Sequence, residues 1–296
     1  MTEIDLAGYR TQLEQFKALD FTALEQVDVT KRLIELISET RFWFSTFTYS
    51  GLYRSRANDT NESFSHVSQL WYPPARYVSL GRCNHPLQPR LYGATSFDPA
   101  FWEIRPKPRQ RLTTLYAAAK DGKDTLVAAV VGLSRSLSPH TLPHRPAFST
   151  LVQEMREVHA DAFEQFLLLD GLFDELMTSR AGEQQSSIYK ATVAISDFFL
   201  VDRNYSSLMY PSVAHELNGM NLIMGPEFAD MNFNPVEAWE FWVDEGERGP
   251  PTLSLLPLRR SNAIHSDGSI EWLDEGIGVS QSEFDVFLRS EAPESS

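Results

Sequence analysis

Five arginines, Arg54, Arg56, Arg76, Arg82 and Arg90, fall between residues 54 and 90 of a chain whose net charge is −14. A guanidinium is a planar fork of donors that grips phosphate or carboxylate oxygens two at a time. A basic island this small in an acidic chain suits a small anionic ligand. A polynucleotide or an anionic membrane would be repelled by the rest of the surface. Within the island Arg82 is followed ten residues later by Tyr92, and eleven after that by Glu103. A cation, a phenol and a carboxylate could line a polar binding site if the fold brings them together. Taken singly, Arg82 in a turn is a surface charge, Tyr92 on an apolar strand is core, and Glu103 is a solvated helix residue.

The elements that must position these residues are partly legible. Residues 81–104 read as turn, strand, turn and helix, the strand running from Leu91 to Ala94. Asp98-Pro99 is a helix start, because aspartate caps free amides and proline suits the first turn. Glu103 then falls near the end of the second turn, and Arg105-Pro106-Lys107-Pro108 stops the helix. Residues 5–40 read as helical, with Leu6, Tyr9, Leu13 and Phe16 on one stripe and Val29, Leu33, Ile34 and Ile37 on another. The stretch RFWFSTFTYSGLYRSR is rich in aromatic and β-branched residues and reads as extended. Its two arginines, Arg54 and Arg56, are expected to face opposite sides, one lining a pocket and the other pairing with a carboxylate.

Farther on, LTTLYAAA and TLVAAVVGL flank KDGKD, which signals a hairpin around Asp121-Gly122. Residues 136–146 form a proline-punctuated loop, and residues 147–180 and 185–199 read as helices. YPSVAHELNGMNLIM reads as a turn and a short strand, and EAWEFWV and SIEWL as later strands. Strands and helices mix without regular βαβ alternation, so the fold class is α+β (mixed α/β). The expected organisation is an N-terminal helical extension over residues 1–48 and a main domain over 49–285. That domain carries a helical insertion at about 134–188, and residues 286–296 are expected to be a disordered tail.

The chain has 296 residues, of which 42% are hydrophobic and 12% aromatic, enough for a substantial core. No run approaches the roughly 20 apolar residues that span a membrane, and MTEIDLAGYR lacks the pattern of a signal peptide. The single cysteine, Cys83, cannot form an internal disulfide. A soluble, cytoplasmic protein is expected. Cys83 beside Arg82 could be a reactive thiol, although a small semi-buried residue is the better reading. GxGxxG, GxxxxGK[ST] and GxSxG are all missing, and none of the seven histidines is spaced as HExxH. No metal site is expected.

The ordered set of short motifs resembles the RES domain family, named for an arginine, a glutamate and a serine that recur in it. The elements are Leu52-Tyr53-Arg54-Ser55-Arg56, Gly81-Arg82-Cys83-Asn84, Leu91-Tyr92 and Ala100-Phe101-Trp102-Glu103, then Tyr210-Pro211-Ser212 and Gly219-Met220-Asn221-Leu222. The resemblance spans roughly residues 50–230. The chain departs from the family's shorter members by the expansion between Glu103 and Ser212, and by Cys83 at a position that is more usually aromatic. The resemblance implies an ADP-ribosyltransferase-like core that binds NAD. Characterised members are toxins of toxin–antitoxin pairs. They deplete NAD by hydrolysis or phosphorolysis, or in some cases ADP-ribosylate a target, and their antitoxins are DNA-binding proteins.

On that implication the residues take roles. Arg54 and Arg82 would hold the diphosphate, with Arg56 as a second choice. Glu103 would hydrogen-bond the ribose and stabilise the positive charge that grows there as nicotinamide leaves. Tyr92 would stack on a ring or hold the ribose, and Ser212 would donate to the ribose or the carboxamide. Asn221 reads as a buried structural hydrogen-bonder. An NAD glycohydrolase is the first reading, with a protein ADP-ribosyltransferase or a non-catalytic binding module as alternatives. An antitoxin protein is a possible partner, direct nucleic-acid binding is not expected, and the oligomeric state is open.

Overall fold

Apolar residues three and four apart form the N-terminal helices α1 (Leu6–Lys17) and α2 (Gln26–Ser38), which bury Tyr9, Leu13 and Phe16 and then Val29, Leu33, Leu36 and Ile37. The computed structural model describes residues 5–38, 46–58, 62–120, 126–137, 146–158, 160, 162–179, 186–217, 219–245, 253–274 and 279–289. Among them the remaining helices are α3 (Phe97–Glu103), α4 (Pro146–Val158), α5 (Phe163–Thr178), α6 (Tyr189–Asp197), α7 (Pro226–Asn232) and α8 (Gln281–Arg289). The strands are β1 (Thr46–Tyr49), β2 (Gly51–Ala57), β3 (Leu91–Ala94), β4 (Gln110–Ala119) and β5 (Leu126–Val130). They continue with β6 (Ser207–Pro211), β7 (Met220–Met224), β8 (Phe233–Glu245), β9 (Leu253–Ile264) and β10 (Ile270–Trp272). No helix among the described residues is long and apolar enough to cross a membrane.

The strands form one mixed sheet in the order β1-β5-β6-β7-β3-β2-β4-β8-β9-β10. Its only parallel pair among these strands is β5 with β6. The expected hairpin between LTTLYAAA and TLVAAVVGL does not form. β4 pairs with β2 and β8, whereas β5 pairs with β1 and β6. Since β1 and β2 are separated by Ser50 alone, β4 and β5 are successive antiparallel partners of one nearly continuous strand. Asp121 and Gly122 lie outside the described residues. What defeats the local turn signal is burial: Ala128, Ala129 and Val130 of β5 gain more from packing between two strands than from a solvent-facing hairpin.

Two helical segments of the sequence share one core. The buried faces of α1 and α2 pack with Leu169, Leu172 and Phe173 of α5, with Ala191 and Ile195 of α6, and with Leu208 and Ile223 of the sheet. Lys17 bridges α1 to Glu175 of α5 at 2.6 Å, and Gln26 Nε2 donates to the Lys190 carbonyl at 2.9 Å. The other end of the sheet is closed by aromatic rings: Tyr53, Phe97, Phe101, Trp239, Phe241, Phe284 and Phe287. Phe284 and Phe287 belong to α8, which runs to Arg289, so the helix extends past residue 286, where the tail was expected to begin, and buries Phe287 in this core. The rest of the expected tail lies outside the described residues.

Candidate functional site

Three neighbouring strands deliver the central cluster. In β6, β7 and β3 the register sets Tyr210 opposite Asn221 and Asn221 opposite Ala94. Ser212 follows the last residue of β6, and α3 begins shortly after β3. The helix starts one position before the expected Asp98, with Ser96 at the cap position and Asp98 and Pro99 within the first turn. Phe97 and Phe101 lie on one face of α3, stacked at 5.5 Å, and both pack on Phe241 of β8 at 5.8 and 6.1 Å. That anchored face fixes the helix rotation and carries Glu103 back over the strands. Gly219 permits the approach, since a Cβ there would lie 2.8 Å from Pro99 Cγ.

Glu103 is exposed, but its carboxylate is held. Ser212 Oγ donates to Glu103 Oε1 at 2.6 Å, and Asn221 Nδ2 donates to the same oxygen at 2.7 Å. Both are charge-assisted bonds from buried donors, and among the described residues they leave Oε2 for a ligand. Ser212 is itself fixed, with its amide donating to the Gly219 carbonyl at 2.8 Å.

Glu103 and Asn221 line a cavity of about 1070 Å³ together with Arg54, Arg56 and Tyr92. Residues two apart on a strand share a face, so Arg54 and Arg56 both point to this cavity, not to opposite sides. Arg54 donates through Nη1 to the Tyr92 carbonyl, and its Nε is buried without a partner. Burial and the nearby Arg56 charge lower its pKa to about 10, which leaves it cationic at neutral pH. Arg56 donates to the Gln69 carbonyl at 2.5 Å and lies over the Phe64 ring at 5.2 Å. The cavity thus joins two guanidinium groups with one oriented carboxylate, a set able to hold an anion and to stabilise positive charge formed beside Glu103.

Arg82 is placed elsewhere. Its guanidinium donates to the carbonyls of Met177 at 2.6 Å and Ser179 at 2.9 Å, and it lies over the Tyr189 ring at 5.6 Å. It caps the C-terminal end of α5, where unpaired carbonyls attract a cation, and it is not on the cavity wall. The assignment of Arg82 to a diphosphate is therefore corrected to a structural one. Arg82→Ala is expected to lower stability by about 1–3 kcal/mol in urea titrations, through the lost bonds to carbonyls.

Tyr92 touches the cavity, but its hydroxyl is engaged in the turn before it. It donates to Asn84 Oδ1 at 2.7 Å and accepts from the Cys83 amide at 2.9 Å. Burial raises its pKa well above the ordinary value, so it stays a phenol. Gly81 is required in the same turn, because a Cβ would lie 2.4 Å from Asn84 Oδ1. Ser212 is wholly buried and does not line the cavity. Its expected contact with ligand is replaced by its bond to Glu103. Burial also pushes the Cys83 thiol up to about 12 against the pull of Arg82, which makes it a packed core residue and not a reactive one.

One segment of the wall was not expected from the sequence. Gln69 and the run from Trp71 to Pro74, with Tyr77, line the cavity. Clustered aromatics and prolines just ahead of the Gly81 turn were the available signal.

No protein-family model matches the chain, and no curated protein matches it. Among solved structures it is similar to a chain of the M. tuberculosis MbcT–MbcA toxin–antitoxin complex. The identity is 12%, the match covers 88% of this chain and 97% of that one, and the TM-score is 0.31. A likeness of that degree carries no argument about the activity of this chain.

Proposed function

We propose that the cavity binds NAD as substrate and cleaves its nicotinamide–ribose bond, in an ADP-ribosyltransferase-like core. The observation that carries this reading is Glu103 locked by Ser212 and Asn221 in the same cavity as Arg54 and Arg56. The guanidinium groups would take the diphosphate oxygens. As the C1′–N1 bond breaks, its electron pair leaves with nicotinamide as a neutral pyridine, and positive charge spreads over C1′ and the ring oxygen of the ribose. The Glu103 carboxylate, bonded to the ribose hydroxyls, stabilises that charge. Water then adds at C1′ and releases its proton to solvent, which gives ADP-ribose. With the RES resemblance, this makes the chain a toxin-type enzyme, and a protein antitoxin is its corresponding partner.

The test is nicotinamide release from NAD by the purified full chain, followed chromatographically. No release would overturn the reading. Label on protein instead of free ADP-ribose would redirect it to transferase activity. Ser212 is a positioning residue in this scheme. Ser212→Ala is expected to lower kcat about tenfold or more by freeing Glu103 to rotate, with a much smaller change in KM. A change confined to KM would place Ser212 in substrate binding instead.

A further inference from the structure

The segment from Trp71 to Tyr77 is anchored by side-chain bonds and carries one exposed ring, Tyr77, at the cavity. One carboxylate secures two successive rings: Asp230 of α7 accepts from Trp71 Nε1 at 2.9 Å and from the Tyr72 hydroxyl at 2.6 Å. That bond, aided by burial, holds the Tyr72 phenol protonated, with a pKa of about 12, so it remains a donor. Pro73 and Pro74 stiffen the backbone that follows. Tyr77 then sits on a turn closed by its own amide to the Pro74 carbonyl at 2.9 Å, and the Val78 amide donates to the Ala75 carbonyl at 3.0 Å.

On this rigid support the Tyr77 ring lines the cavity while 68% exposed. Arg76 lies over it at 4.8 Å from the ring centroid. A large exposed ring with one face against a guanidinium is a platform. A second flat π-system laid on its other face would remove apolar surface from water at little loss of conformational freedom, because the platform is already fixed. The guanidinium adds a cation–π contribution to the stack.

We propose that Tyr77, backed by Arg76, is a stacking subsite for a planar heteroaromatic base, and that it adds base recognition to the anion and ribose contacts of the cavity. This rests on the reading of the cavity as a nucleotide site. Adenine and nicotinamide share the required chemistry, and mononucleotides separate them.

The experiment is calorimetric binding of AMP, nicotinamide mononucleotide and ribose 5-phosphate to the full chain and to Tyr77→Ala and Tyr77→Phe. Loss of one stacked base corresponds to roughly a ten- to hundredfold weakening. Tyr77→Ala is expected to show that weakening for AMP or for nicotinamide mononucleotide, and the one affected identifies the base. Ribose 5-phosphate, which has no base, is expected to bind the variant as it binds the wild type, and Tyr77→Phe is expected to retain affinity. Unchanged affinity for both mononucleotides in Tyr77→Ala overturns the subsite, as does equal weakening for ribose 5-phosphate. The two readings fail separately. NAD cleavage by the wild type with no effect of Tyr77→Ala removes the subsite alone. A Tyr77-dependent affinity without NAD cleavage removes the enzymatic reading alone.

Discussion

Glu103→Gln is expected to reduce kcat for nicotinamide release by about 10²- to 10³-fold, the scale on which a single aimed electrostatic contact acts in a transition state. The substitution is a narrow one. An amide oxygen can still accept from Ser212 Oγ and Asn221 Nδ2, which now reach Oε1 at 2.6 and 2.7 Å. The side chain is exposed in the cavity, so no core contact is lost. What disappears is the negative charge that faces the ribose as nicotinamide departs. Thermal unfolding should therefore match the wild type while turnover collapses, with KM changed far less than kcat. Turnover within tenfold of wild type would remove Glu103 from the chemistry, and a large loss of stability would show that the carboxylate serves the fold instead.

Glu240→Ala is expected to destabilise the fold strongly, by about 3–5 kcal/mol, because it removes a buried carboxylate on which two arginines and two neutral donors converge. Glu240 lies on β8 and is wholly buried. Its carboxylate takes Arg111 at 2.8 Å, Arg259 at 3.1 Å, Asn58 Nδ2 at 2.9 Å and Ser63 Oγ at 2.8 Å. Four donors from separated parts of the chain converge on it, two of them cationic and mostly buried. Removing it takes a shared carboxylate away from both guanidinium groups and opens a cavity at once. Equilibrium urea unfolding, followed by tryptophan fluorescence, measures the loss. A change below about 1 kcal/mol would mean that water or rotation of the arginines replaces the carboxylate.

Local elements were legible where one physical signal dominated. Most of the apolar stripes of α1 and α2 became buried faces, although Leu6 and Ile34 are only half-buried and Leu36 is buried beside Leu33 and Ile37. Glu103 does end a short helix, stopped before Pro106 as the backbone restriction requires. Even so, the details moved: the helix begins at Phe97, and Asp98 sits inside its first turn, not at the cap. Where a local signal competed with burial, burial prevailed. KDGKD looks like a hairpin, but Ala128 and Ala129 find better packing between β1 and β6 than a hairpin would offer.

The residue types of the site were in the sequence, and so were the short elements that carry them. Two arginines on one strand, a glutamate ending a short helix, and an asparagine and a serine flanking a turn are all local facts. Partnership was not, because it depends on which surfaces meet across long stretches of chain. Glu103 and Ser212 are 109 residues apart and Glu103 and Asn221 are 118 apart. They join through the register of β3, β7 and β6 and the aromatic packing beneath α3. Arg82, equally prominent in sequence, was claimed by the carbonyls of α5 some 95 residues away. An arginine goes to whichever unpaired acceptors the folded chain sets beside it, and only the tertiary structure decides which those are.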